Sequence, residues 1–70
     1  PYAYAYVNRG TAYVALGQDS EALADFTQAI SLDPYCSKAY YNRGIVKKRN
    51  GMIKEAYKDF QKAFELRYEI

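Results

Sequence analysis

The chain has 70 residues, of which 50% are hydrophobic, 26% are charged and none is His, with a formal net charge of +2. That length holds one compact domain with a marginal core, and the composition excludes any site built on histidine. No apolar run approaches the ~20 residues that a membrane-spanning helix needs, and the single cysteine, Cys36, cannot close an intrachain disulfide.

In chain order, Pro1 and Tyr2 make a ragged start without Met or a basic-then-apolar leader, which reads as a trimmed piece of a longer protein. From Ala3 onward, Tyr6, Gly10, Tyr13, Val14 and Leu16 recur at helical spacing. Tyr2, Tyr4 and Tyr6 alternate with other residues as a strand would, but the helical period around them overrides that pattern. The first helix is predicted to end at Gly17, because a left-handed C-terminal cap suits glycine. Asp19 or Ser20 offers an N-cap for a second helix to about Leu32, with a buried stripe of Ala22, Leu23, Phe26, Ala29 and Ile30. Asp33-Pro34 stops it, since proline cannot continue a helix and biases the residue before it away from helical dihedrals.

Ser37 offers an N-cap for a third helix reaching about Asn50, and Asn50-Gly51 is a strong turn signal. The fourth helix is predicted to bury Ile53, Ala56, Tyr57, Phe60, Ala63 and Phe64. No counterpart of Pro34 stops it, so it runs toward Ile70.

One stretch is written twice. Ala5-Tyr6-Val7-Asn8-Arg9-Gly10 returns as Ala39-Tyr40-Tyr41-Asn42-Arg43-Gly44, offset by 34 residues. The same offset pairs Gly17 with Gly51, Glu21 with Glu55, Ala22 with Ala56, Asp25 with Asp59, Phe26 with Phe60, Ala29 with Ala63 and Leu32 with Leu66. Small residues recur where two helices must approach closely, and aromatic residues recur where bulk must fill the gap between them. Each unit therefore reads as helix, tight turn, helix. The chain is all-α, a single domain over 1–70, with repeat one at 3–36 and repeat two at 37–70.

This pattern resembles the tetratricopeptide repeat, a 34-residue helix-turn-helix unit with W-x2-L-G-x2-Y, A-x3-F and a late proline. Tyr6-x2-Arg9-Gly10-x2-Tyr13, Ala22-x3-Phe26 and Pro34 match in the first copy; Tyr40-x2-Arg43-Gly44 and Ala56-x3-Phe60 match in the second. Arg9 and Arg43 replace the leucine, Lys47 replaces the second aromatic, and Tyr68 stands at the late proline. The resemblance covers residues 3–70 and implies two stacked repeats, a fragment of an α-solenoid.

It also implies a concave face, lined by the first helix of each repeat, that holds an extended peptide. Carried onto this sequence, the peptide-binding residues are Tyr4, Val7, Asn8, Thr11, Lys38, Tyr41, Asn42, Ile45, Lys48 and Arg49, with Val14 and Ala15 beside them. Asn8 and Asn42 are the sharpest candidates, because an amide can donate to a peptide carbonyl and accept from its N–H. The alternative is that both are solvated helix-surface residues. Some members of that family grip a C-terminal carboxylate with lysine, asparagine and arginine. Here Val7 and Thr11 occupy the first Lys and Asn positions, and Asn42 an Arg position, so a complete clamp is absent.

Other polar residues point to ordinary roles. Glu21 and Asp25, like Glu55 and Asp59, stand one turn apart and read as solvated helix faces near positive N-termini. No nucleophile–base pairing, Gly-rich phosphate loop or metal-ligand cluster is visible, so the reading is of a non-enzyme with no cofactor and no metal. Lys47-Lys48-Arg49 reads either as cations at a helix C-terminus or as an anion-recognising edge. Lys47 takes the place of a packing aromatic, so either its stem snorkels or the second repeat is looser there. Arg9 and Arg43 are expected to pack their stems while the guanidinium reaches a carboxylate or carbonyl at a repeat edge, rather than a ligand.

Residues 3–36 carry a net charge of −3 and residues 37–70 one of +5, an asymmetry that bears on partners rather than on fold. The functional expectation is a protein–protein interaction module for a peptide or protein segment. The alternative is a structural fragment of a longer array that self-assembles into a homo-oligomer through its repeat faces, because two repeats leave apolar ends. Nucleic acid is a weaker third class and membrane insertion is not expected. A single reduced Cys36 favours a cytoplasmic setting.

Overall fold

The computed structural model describes residues 2–68 and consists of four helices, α1 (Tyr2–Ala15), α2 (Asp19–Leu32), α3 (Ser37–Arg49) and α4 (Ile53–Tyr68). Readings placed on Pro1, the Tyr68 side chain and Ile70 lie outside what is described. α1 packs on α2 and α3 on α4, and the two hairpins join where α2 meets α3. The result is the expected pair of helix-turn-helix units.

The turns follow from glycine. Gly17 and Gly51 have φ of 75° and 83°, in the left-handed region. At the first, Gln18 N–H donates to Tyr13 O at 2.8 Å and Gly17 N–H to Val14 O at 3.0 Å; at the second, Met52 N–H donates to Lys47 O at 2.8 Å and Gly51 N–H to Lys48 O at 3.1 Å. Both are Schellman caps, which satisfy carbonyls that the end of a helix leaves open. The α2–α3 connection is different. Asp33 takes extended dihedrals, its carboxylate accepts Tyr35 N–H at 3.0 Å, and its carbonyl accepts Cys36 N–H at 3.1 Å.

The expected N-caps differ by a residue or two. Gln18 caps α2 and Cys36 caps α3, neither with a side-chain bond. The Schellman turn is so short that Asp19 is already inside the first turn of α2, where Arg49 and Asn50 take its carboxylate. Ser37 likewise falls inside α3, after Cys36 has left its carbonyl to Ala39 and Tyr40.

The core explains the repeated small residues. Val7, Ala22, Phe26, Ala29, Ala39, Val46 and Ala56 are buried, with Tyr6, Tyr13, Val14, Leu23 and Ile30 packed alongside the main cluster. Gly10 lies against the Phe26 ring, where an added Cβ would sit 2.6 Å from Cε1. Gly44 lies against Phe60 in the same way, at 2.7 Å from Cε1 and 3.1 Å from the Ala56 carbonyl.

The predicted buried stripe of α4 is only partly buried. Ala56 and Ala63 are inside and Phe60 is half-buried, but Ile53, Tyr57 and Phe64 are 44%, 56% and 57% exposed. α2 is sandwiched between α1 and α3, whereas α4 packs on α3 alone among the described elements. Periodicity showed which face of α4 is apolar; it could not show what covers it.

Candidate functional site

Each repeat is cross-braced by one arginine. Arg9 Nε and Nη2 donate to the two carboxylate oxygens of Asp25, both at 2.8 Å, and Arg43 binds Asp59 with the same two distances. This bidentate geometry is the one a guanidinium and a carboxylate match best. Asp25 and Asp59 are 4% and 5% exposed, so the expectation that they lie on solvated helix faces is corrected. Burial is acceptable because both oxygens of each are paired. Glu21 and Glu55 do remain exposed.

The arginines reach carboxylates as expected, although within their own repeat rather than at its edge. Arg9 also lies 5.5 Å over the Tyr6 ring and 5.8 Å over Tyr13, and Arg43 lies 5.6 Å over Tyr40. Lys47, which replaces the second aromatic, sits 3.2 Å from Asp59 and 3.7 Å from Glu55 with its side chain 15% exposed. It trades a ring contact for a second cation on the buried carboxylate. Burial pushes the Asp59 carboxyl up, but the hydrogen bonds and charges of Arg43 and Lys47 outweigh it and hold the group below its ordinary range. Neither aspartate offers a free oxygen for proton transfer. No group of three or more acidic or sulfur ligands among the described residues could hold a metal ion.

The basic run is also drawn inward. Arg49 and Asn50 both bind Asp19, which holds the Asp19 carboxyl below its ordinary range. Lys47 belongs to Asp59, so of the three only Lys48 has no ion pair among the described residues. The run is therefore not a continuous anion-recognising edge.

A groove of about 1180 Å³ opens between α1, the N-terminal half of α3 and the C-terminal half of α4. Tyr4, Val7, Asn8 and Thr11 line it from α1, and Lys38, Tyr41 and Asn42 from α3. The α2–α3 connection adds Asp33, Tyr35 and Cys36, Ser37 begins α3 there, and α4 adds Phe60, Ala63, Phe64 and Arg67. The Tyr41 and Phe60 rings meet at 5.6 Å, which makes one wall aromatic.

Ile45, Lys48 and Arg49 do not line this groove, nor do Val14 and Ala15. They sit on later turns of their helices, beyond the groove's end, and Arg49 is committed to Asp19. Phe60, Ala63 and Phe64 of α4 were missed because their spacing reads as core, and Arg67 because no motif marks it. Tyr35 was legible in principle: an aromatic placed straight after Pro34, in a turn, is 77% exposed.

Inside the groove, Thr11 is occupied, donating to Val7 O at 2.9 Å. The side-chain amides of Asn8 and Asn42 make no hydrogen bond among the described residues, and Lys38 has no ion pair there. Among the described residues Asp33 is the one acidic residue lining the groove, which Lys38 and Arg67 also line. Among the described residues no helix is long and apolar enough to cross a membrane.

Comparison with protein families gives a match to a family model described as "Tetratricopeptide repeat", once over residues 3–36 and again over 37–67. The two matched segments are the two hairpins.

Proposed function

Because the chain belongs to the tetratricopeptide repeat family, whose repeats generally serve as protein–protein interaction modules, we propose that its groove holds an extended segment of a partner protein. One observation carries this reading. Asn8 and Asn42 occupy the same position in successive repeats, both line the groove, and neither amide is spent within the described protein.

An extended segment presents alternating N–H and C=O groups, and each amide can serve one of both kinds. Tyr4, Tyr35 and Tyr41 supply amphipathic surface for its side chains. Lys38, which has no ion pair among the described residues, favours a segment with an acidic residue near it. No catalytic role is assigned, since the buried carboxylates are held by arginine on both oxygens. The free, buried Cys36 thiol fits a reducing, cytoplasmic setting.

The test is a displayed peptide library selected on the native chain and rescreened on an Asn8→Ala/Asn42→Ala variant. Selected peptides are expected to lose about 1 kcal/mol per amide removed, roughly fivefold each, while the melting temperature stays within a degree or two. Peptides that bind both proteins equally would show that the segment docks elsewhere.

A further inference from the structure

The cations of the second repeat divide into two sets. Arg43 and Lys47 hold Asp59, and Arg49 holds Asp19. Lys54, Lys58 and Lys62 of α4 are exposed and make no ion pair among the described residues. They stand four apart on one helix, so they form a row with about 6 Å of rise at each step and about 12 Å in all.

The acids of α4 do not neutralise this row. Glu55 faces Lys47 at 3.7 Å, and Asp59 is buried against Arg43 and Lys47. Glu65 stands beyond Lys62, exposed, and makes no ion pair among the described residues. Like charges at i and i+4 repel along a helix, whereas a glutamate four residues before a lysine supports it. The fold does not require the row, because the 34-residue offset places Ser20, Ala24 and Gln28 at the same positions of α2. Those three residues are exposed although α3 packs on α2. A helix stacked on α4 as α3 is on α2 leaves the lysine face open in the same way, so the row is accessible whether or not another repeat follows.

Such a row calls for a partner with negative charge at matching intervals. Three cations fall short of the about four to eight that mark attraction to an anionic membrane surface. They also fall short of the about six to ten phosphate contacts that carry strong backbone binding to a nucleic acid. Glutamates at i, i+4 and i+8 of a helix repeat with the same rise as the lysines. We infer that Lys54, Lys58 and Lys62 dock an acidic helical segment of a partner protein along the outer face of α4. Exposed ion pairs are individually weak; three in register act together and fix the direction of the docked helix. This surface is separate from the groove and does not rest on the groove reading.

Fluorescence anisotropy tests the inference, with the 70-residue chain titrated at low salt into a labelled alanine-rich helical peptide carrying glutamate at i, i+4 and i+8. An isomer whose three glutamates are spread around the helix is expected to bind about tenfold more weakly, since two of the three pairs are lost. Lys58→Gln, at the centre of the row, is expected to weaken binding about threefold. The triple variant Lys54→Gln/Lys58→Gln/Lys62→Gln is expected to bring it below detection with unchanged circular dichroism. Lys58→Glu is expected to lose the peptide and to regain binding to one with lysine at i+4. Lys38→Gln and Lys48→Gln remove unpaired cations elsewhere, and they and Asn8→Ala/Asn42→Ala are expected to leave binding unchanged. No binding, equal binding of the two isomers, or an equal loss in Lys48→Gln and Lys58→Gln overturns the inference. Loss of binding in Lys38→Gln or in the asparagine variant overturns it too, since the peptide then lies in the groove. So does tighter binding to phosphatidylserine vesicles or to a single-stranded oligonucleotide, which assigns the row to another class of partner.

Discussion

Arg43 holds Asp59 across the α3–α4 hairpin through two hydrogen bonds of 2.8 Å, and Lys47 stands 3.2 Å from the same carboxylate. The equivalent Asp25 has Arg9 but, in place of a lysine, Tyr13. One buried acid thus has two cations and its copy has one.

That asymmetry predicts an order of stability. Removing one member of a buried ion pair leaves the other charge uncompensated. Arg43→Met leaves Asp59 with Lys47 and is expected to cost under about 3 kcal/mol. Arg9→Met leaves Asp25 without an ion-pair partner among the described residues and is expected to cost more, despite the greater exposure of Arg9. Urea melts of the two variants decide the order. Equal midpoints would mean that Lys47 contributes nothing to Asp59.

Acid is expected to act through Asp59 and Asp19. Both are held below the ordinary carboxylate range, Asp59 by Arg43 and Lys47 against burial, Asp19 by Arg49 and Asn50. As pH falls, the unfolded chain takes up these protons first, so stability falls with it. The contribution is complete above about pH 4 and is lost as pH drops through the lower folded values. Urea midpoints between pH 7 and pH 2 should fall on the acid side, and less steeply in Asp19→Asn. A midpoint independent of pH would remove these pairs from the account.

The Gly44 contact makes a sharper prediction. A leucine there must displace the Phe60 ring and press on the Ala56 carbonyl, and is expected to cost about 3 kcal/mol or more. Gly51→Ala meets no atom within 4 Å, so its cost of about 1–2 kcal/mol comes from the left-handed backbone alone. Thermal melts of the two variants separate packing from backbone strain. An unchanged melting temperature for Gly44→Leu would mean that the helices do not approach closely at that point.

The fold was legible because one offset aligned glycine, alanine and phenylalanine in both copies, and each is tied to a contact or a turn. The buried aspartates were misread because local spacing places Asp25 and Asp59 one turn from exposed glutamates. The signal lay further off: Arg9 and Asp25 stand 16 apart, as do Arg43 and Asp59. Of the groove, the first-helix positions from Tyr4 to Thr11 and Lys38 to Asn42 were implied by the resemblance to the tetratricopeptide repeat, carried over residue by residue. Its floor was not, because Phe60 and Phe64 have the spacing of core residues and only the packing of α4 on one side turns them toward an opening. Ile45 and Arg49 share the helical face of Tyr41 and Lys38, and sequence alone does not say where along that face a groove ends.

The most direct measurement is a nuclear magnetic resonance titration of the native chain with a peptide selected from the library. The side-chain amide resonances of Asn8 and Asn42 and the backbone amides around Lys38 and Tyr41 are expected to shift together and saturate at one affinity. Shifts confined to Lys54, Lys58, Lys62 and their neighbours, with both asparagine side chains unmoved, would contradict the groove as the binding site.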